Sequence, residues 1–334
     1  ADGGGKNIIL LLPFLLMIKL SGREIIFFSH NVVENFDEIG QHLNIAKNSL
    51  KMKIYNKGIK FYNKMLGKIV DKVVVLDKIL AERIKKYVDS KKIININIWV
   101  EKTKDEISEE EARIKLGFNS KEKIILYFGF VSWYKGADWL VKEFEKYINK
   151  NNREKVRLVI AGGEAYSLKN KKYYQKYYQD LKIRTEKCKQ MDLTGFVPED
   201  EIKLYFRACD LVVLPYRGLI GASGTLNHAL SYGKAFMLSK KMEKAFGNGE
   251  IESKLKMMKI NKDNLVFEHN RGGMGEIIKT LKDGRRMSSL EKFSKEMAMI
   301  YGFKNSIKNE YNKIYANLAK KEVFGIAKKN KKNS

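Results

Sequence analysis

The sequence predicts an α/β protein built on parallel sheets, and three observations carry that prediction. Apolar runs of strand length alternate with longer stretches of helical period through most of the chain. Several runs, Lys123–Phe128 and Leu211–Leu214 among them, are apolar on successive rather than alternate residues, the pattern of a strand covered on both faces. Glycines then follow these strands and open the next helical segment, at Gly129 to Gly136 and at Gly221 to Gly224.

Taken in order, the first apolar stretch is Ile8 to Ile18, broken by Pro13. It falls short of the roughly 20 residues that span a bilayer, so a buried helix over Lys6–Lys19 is expected. Lys6 ahead of an apolar run imitates a signal peptide, but Lys19-Leu20-Ser21-Gly22-Arg23 lacks a small-x-small cleavage pattern. A strand at Glu24–Ser29, a helix at Asn44–Val70, a strand at Lys72–Leu76, a helix at Ile79–Asp89 and a strand at Ile93–Ile98 complete a first block. Glu101 to Lys121 is polar and acidic, with Ser108-Glu109-Glu110-Glu111 reading as a helix cap followed by acids in the first turn.

The second block has strands at Lys123–Phe128, Arg157–Ala161, Met191–Leu193, Leu211–Leu214, Ala235–Leu238 and Asn264–Phe267. Helices are expected between and after them at Ala137–Asn149, Lys171–Lys187, Pro198–Ala208, Gly224–Tyr232, Gly275–Leu281, Ser288–Met299 and Phe303–Lys320. The domain organisation that follows is a Rossmann-like unit over 1–100, a linker over 101–121 and a second Rossmann-like unit over 122–300. A C-terminal helix over 301–320 and a basic, low-complexity tail over 321–334 follow. The first unit holds fewer strands than a doubly wound domain needs, so a partial unit lacking N-terminal strands is expected.

Composition bounds the class. The chain has 334 residues, enough for two domains of roughly 100–200 residues each, and 44% hydrophobic residues to fill both cores. Two cysteines, Cys188 and Cys209, exclude a disulfide framework, and with four histidines they supply no closely spaced zinc set. A reducing, cytoplasmic compartment is expected. The net charge of +26 is spread along the whole chain without a nucleic-acid-binding module, although Lys171 to Tyr178 mixes cations with stacking rings; nucleic acid is the disfavoured partner. In Asn44 to Val70, Lys47, Lys51, Lys53, Lys57, Lys60, Lys64 and Lys68 interleave with Leu50, Ile54, Tyr55, Phe61 and Met65. Such a helix suits the surface of an anionic membrane, and it equally suits a solvated lysine face over a core stripe of Ile54, Phe61 and Met65.

Three loops carry chemistry. The strand ending at Leu214 runs through Pro215-Tyr216-Arg217 into Gly221-Ala222-Ser223-Gly224-Thr225, where a helix begins. Free N–H groups and a positive dipole end at Ser223, Gly224 and Thr225 suit a nucleoside diphosphate, or Ser223 merely caps the helix. The strand ending at Phe128 leads into Gly129 and Lys135, a place for close backbone approach and a point charge at the same sheet edge. His30 follows the strand ending at Ser29 in the other unit, where an imidazole can face the interdomain cleft.

These residues resemble those of retaining glycosyltransferases of the GT-B fold, family 4 type (glycosyl transferases group 1). The matching motifs are His30-Asn31-Val32, Gly129-Phe130 to Lys135-Gly136, Pro215-Tyr216-Arg217 and Ser223-Gly224, in that order and spacing, and the resemblance runs from about Gly22 to about Lys320. It implies two Rossmann-like domains facing across a cleft, with a UDP- or GDP-type sugar donor held by the second and a glycan or lipid-linked acceptor by the first. It also implies transfer of a hexose to a hydroxyl with retention, catalytic roles for His30 and Lys135, and peripheral placement on the inner face of a membrane. Donor contacts would fall to Gly129, Lys135, Ser223, Gly224 and Thr225. No metal and no further cofactor are expected, and there is no Asp-x-Asp motif. Two positions where relatives carry glutamates fall on Ile220 and His228, and the arginine that accompanies the donor lysine is absent from Phe130 and Ser132. Arg217, Asn227 and His228 are the residues placed to substitute. The alternative is a catalytically silent GT-B-like nucleotide- or glycan-binding protein.

Overall fold

The computed structural model describes residues 5–37, 40, 44–96, 100, 107–218, 221, 223–246, 249–302, 312 and 314. In the first unit α1 (Gly5–Leu20) leads into β1 (Ile26–Ser29), α2 (Leu50–Ile69), β2 (Lys72–Val75), α3 (Lys78–Ile84) and β3 (Ile93–Asn95). The three strands pair in parallel in sequence order, with Ile26 opposite Lys72 and Val73 opposite Ile93. Helix α2 starts later than its periodicity predicts, because Asn44 and Asn48 hold left-handed φ values of 53° and 64° and Ser49 then caps the helix by accepting from the Met52 amide.

Helix α1 departs from expectation. Leu15 is buried, and Leu11, Leu12 and Ile18 pack beside it on Leu66, Val73 and Leu80, but Phe14, Leu16, Met17 and Leu20 are exposed. An apolar run carries no record of which of its sides finds a partner. In α2 the buried stripe is Met52, Leu66 and Ile69, while Ile54 and Phe61 point outward at 60% and 63% exposure, so neither belongs to the core.

The second unit contains α4 (Glu109–Lys115), β4 (Lys123–Phe128), α5 (Ala137–Lys150), β5 (Val156–Ala161), α6 (Lys172–Glu186), β6 (Met191–Leu193) and α7 (Ile202–Ala208). It continues with β7 (Leu211–Leu214), α8 (Gly224–Ser231), β8 (Ala235–Ser239), α9 (Gly249–Met257), β9 (Val266–Phe267), α10 (Gly273–Lys282) and α11 (Gly284–Ile300). Its six strands are parallel, in the order β6-β5-β4-β7-β8-β9. The chain winds outward from β4 to β6, returns to lay β7 on the other side of β4, and winds outward again. The β4–β7 boundary is therefore the switch point, where the loops leaving the two strands diverge and open a crevice. Strand residues such as Ile125, Leu158, Val212 and Met237 are fully buried.

The stretch read as a linker is partly structural. The capping box foreseen at Ser108 and Glu111 is present, but α4 then docks on the second unit. The buried guanidinium of Arg113 donates to the carbonyls of Ala208 (3.0 Å), Ser120 (3.1 Å) and Glu122 (3.0 Å) and pairs with Asp210 at 2.8 Å. A charged residue reads as solvated in a sequence; only the cluster of carbonyls and the carboxylate make its burial favourable. After α11 the chain touches the first unit again: the Val100 amide donates to the Tyr301 carbonyl at 2.9 Å, and Ile314 is buried with Val74 and Ile96. Most of the helix expected at 303–320 and the tail at 321–334 lie outside the described residues.

Candidate active site

Both loops at the switch point are held by unusual backbone. Gly129 leaves β4 at φ 105°, a conformation that side chains disfavour, and its amide donates to the Ala161 carbonyl at 2.9 Å. A Cβ placed on it would lie 3.0 Å from Lys135 Nζ and 3.6 Å from Thr225 Oγ1. Three residues that the sequence scatters over almost a hundred positions thus share one small concavity. Thr225 Oγ1 donates to the Phe128 carbonyl at 3.0 Å and accepts from Tyr216 Oη at 3.2 Å, while Lys135 Nζ sits 5.7 Å from the centre of the Tyr216 ring. Among the described residues no carboxylate pairs with Lys135, so its charge is compensated only by that ring.

Helix α8 starts at the rim of this concavity. Ser223 caps it, accepting from the Leu226 amide at 3.3 Å. The amides of Gly224 and Thr225 are the first two of the helix and have no intrahelical acceptor. Gly224 is exposed and no atom lies within 4 Å of its Cβ position, which leaves the helix start open to a ligand. Both alternatives weighed for Ser223 therefore hold: it caps the helix, and the cap leaves the two preceding donors directed at the crevice.

The remaining sequence-predicted residues fall in different places. Arg217 is committed elsewhere: its guanidinium is bidentate to Asp138 on the first turn of α5, at 2.8 Å and 2.8 Å, donates to the Trp133 carbonyl and stacks 4.5 Å from the Trp133 ring. This corrects the expectation of a donor contact, because the acid that neutralises Arg217 is brought to it by the turn into α5. His228 packs against Phe206, Phe128 and Tyr232 at centroid distances of 5.3, 5.7 and 6.5 Å, and burial lowers its pKa. It is a neutral ring in an aromatic cluster, without the negative charge of the glutamates it replaces. Asn227 is half-buried one turn into α8, and Ile220 lies outside the described residues.

His30 is exposed on the first unit, and its loop meets the second unit directly. Asn31 forms an isolated antiparallel bridge with Gly221, and a Cβ on Gly221 would lie 1.9 Å from Asn31 Oδ1 and 2.7 Å from the His30 carbonyl oxygen. The two units therefore touch two residues before the cap of α8, with His30 beside the phosphate-type helix start. Sequence reasoning missed Tyr216 as the ring under Lys135, Asp138 as the partner of Arg217, and the Asn31–Gly221 contact. Tyr216 and Gly221 stand inside the motifs, but no local signal says which neighbours they meet.

Among the described residues no three His, Cys, Asp or Glu side chains converge as a metal set, and no helix is long and apolar enough to cross a membrane. Residues 122–253 match the family model of the glycosyl transferases group 1. An uncharacterized glycosyltransferase of Methanocaldococcus jannaschii is 28% identical over 103 residues, 31% of this chain and 24% of that protein. The chain thus matches about a quarter of that relative's length. Among solved structures, HepE from Anabaena in complex with UDP and glucose superposes with a TM-score of 0.68 at 12% identity, over 93% of this chain and 76% of that one. A UDP-forming α,α-trehalose-phosphate synthase from Burkholderia vietnamiensis gives 0.65 at 12% identity, over 94% and 71%, and sucrose-phosphate synthase from Thermosynechococcus elongatus 0.64 at 15%, over 90% and 70%. The architecture shared with them is the GT-B fold.

Proposed function

We propose that this chain, a GT-B protein whose residues 122–253 form a glycosyl transferases group 1 domain, transfers a hexose from a nucleoside diphosphate sugar to a hydroxyl of a glycan or lipid-linked acceptor, with retention at the anomeric carbon. One observation carries the reading: Lys135 Nζ and Thr225 Oγ1 flank the space over Gly129 at the switch point, beside the open start of α8. A departing diphosphate gains negative charge as the glycosidic bond breaks. An ammonium without a carboxylate partner and two free amides at a helix start stabilise that charge more than they stabilise the intact donor. A UDP donor is favoured by the printed ligands of the structural neighbour HepE, UDP and UDP-glucose.

His30, on the acceptor side of the cleft, contacts the transferred sugar. The first unit brings the acceptor from a membrane surface: α2 exposes Leu50, Ile54, Tyr55 and Phe61 beside Lys51, Lys53, Lys57, Lys60 and Lys64, and each lysine near an anionic leaflet contributes about 1 kcal/mol. The protein then works in the cytoplasm, peripherally on the inner face of a membrane. A silent nucleotide-binding protein is the second reading, favoured by the aromatic packing of His228.

A titration of UDP- and GDP-sugars into the full chain, followed by hydrolysis and transfer assays, decides between them. Turnover of one donor that falls by about 100-fold in Lys135→Ala supports the enzyme. Binding without turnover supports the silent protein, and no nucleotide binding sinks both. Co-sedimentation with phosphatidylserine vesicles, compared with a variant in which the exposed α2 lysines are glutamines, tests the membrane contact; equal binding removes it.

A further inference from the structure

We infer that Arg217, Asp138 and Trp133 form a clamp that positions Lys135, so that Arg217 acts on the nucleotide through the lysine and not by touching it. The inference rests on the nucleotide-sugar reading of the site.

The clamp encloses Lys135 on both sides along the chain. Before it, the Trp133 carbonyl accepts from the Arg217 guanidinium and the Trp133 ring stacks on that group at 4.5 Å, and the Tyr134 carbonyl accepts from the Arg217 backbone amide at 2.7 Å. After it, Gly136 at φ 76° lets the Pro215 carbonyl approach to 1.8 Å from where a Cβ would stand, and Asp138 takes both ends of the guanidinium fork. Each half of the clamp is itself braced: Tyr177 Oη donates to Asp138 Oδ1 at 3.2 Å, and His269 Nε2 lies 2.8 Å from the Pro215 carbonyl oxygen. In the stretch from Trp133 to Asp138, Lys135 is the residue whose charged end is turned to Gly129 and Tyr216.

The chemistry of the pair supports positioning over ligand binding. A bidentate arginine–carboxylate pair has its charge compensated in place, and the planar fork needs both its geometry and its aromatic stack, which lysine does not reproduce. Side chains of Arg217 and Asp138 are 21% and 35% exposed, so the pair is partly shielded from water. A loop held at four of its residues keeps an ammonium in the place where charge develops without paying ordering entropy at the moment of reaction.

The test uses the full chain, with UDP and GDP as probes. Wild type, Arg217→Lys, Arg217→Met and Asp138→Asn are titrated calorimetrically, each also in a Lys135→Ala background. The clamp requires Arg217→Lys, which keeps the charge, to weaken diphosphate binding by about 10-fold or more, as Arg217→Met does. Asp138→Asn must weaken it as well, and all three must cost less than about 2-fold once Lys135 is gone. Arg217 as a direct ligand gives the opposite set: near wild-type affinity in Arg217→Lys, tighter binding in Asp138→Asn, and additive losses with Lys135→Ala. That set overturns the inference and leaves the functional reading standing. Hydrogen exchange on the unliganded proteins provides a readout independent of nucleotide. Exchange at residues 133–136 must rise in Arg217→Lys and Asp138→Asn while β4 and β7 stay protected, and unchanged exchange overturns the clamp. Failure of the wild type to bind either nucleotide overturns the functional reading and takes the role of the clamp with it.

Discussion

Gly129→Ala separates the conformational role of this glycine from its role as the floor of an anion site. At φ 105° an alanine is strained by about 1–3 kcal/mol, a cost that falls on stability. The added Cβ would stand 3.0 Å from Lys135 Nζ, tighter than ordinary van der Waals contact, and 3.6 Å from Thr225 Oγ1. The lysine end can swing aside cheaply, so sterics add little to the stability loss. The displacement moves the ammonium off its place and fills the space a phosphate oxygen needs, which predicts a loss of UDP affinity of about 10-fold or more, or about 1.4 kcal/mol. Gly117→Ala is the control: φ is 70°, and no atom lies within 4 Å of its Cβ position, so it carries strain alone. Urea unfolding and calorimetric UDP titration on both variants give the comparison. Both should lose stability and only Gly129→Ala should lose affinity. Equal UDP binding by Gly129→Ala and wild type, or equal losses in the two variants, refutes the placement of the diphosphate over Gly129.

Gly136→Ala brings a Cβ within 1.8 Å of the Pro215 carbonyl oxygen, a backbone atom that cannot swing away, so thermal melts should show a larger loss than for Gly117→Ala; an equal loss refutes the close crossing of the two loops. Arg113→Ala leaves Asp210 and three carbonyls without their shared donor, and urea unfolding should show about 3–5 kcal/mol lost; a loss under about 1 kcal/mol means the cluster contributes little. Burial lowers the pKa of His269, outweighing the Pro215 carbonyl beside it, so the folded state holds a neutral ring. The unfolded chain takes up the proton first, and stability falls as pH drops through about 6.5. His269→Gln should flatten the pH dependence of the urea midpoint between about pH 7 and pH 5, and an unchanged slope rejects the assignment.

The α/β class and the order of elements are legible because they are local. An all-apolar run such as Leu211–Leu214 needs cover on both faces wherever it lies, and β7 occupies those residues. Gly129, Lys135, Ser223, Gly224 and Thr225 are legible as loop residues for a related reason: strands in parallel put their following loops at one edge, so the pattern alone places them together. Side-chain partners obey no such rule. Arg217 and Lys135 look alike as cations after a strand, yet one is neutralised by Asp138 and the other is left to a tyrosine ring. Arg113 looks like a solvated residue in an acidic helix and is buried against Asp210, while Phe14 and Phe61 look like core and face outward.

The sequence by itself determined what repeats along the chain: strand and helix periods, caps at Ser49 and Ser108, and glycines where strands turn into helices. Tertiary structure alone decided which charges are spent, that β4 and β7 adjoin, and that His30 and Asn31 reach Gly221 from the other unit. The physical reason is range. Backbone propensity and burial pattern act over a few neighbouring residues, whereas an ion pair or a close backbone crossing joins atoms whose separation in sequence carries no trace of their distance in space.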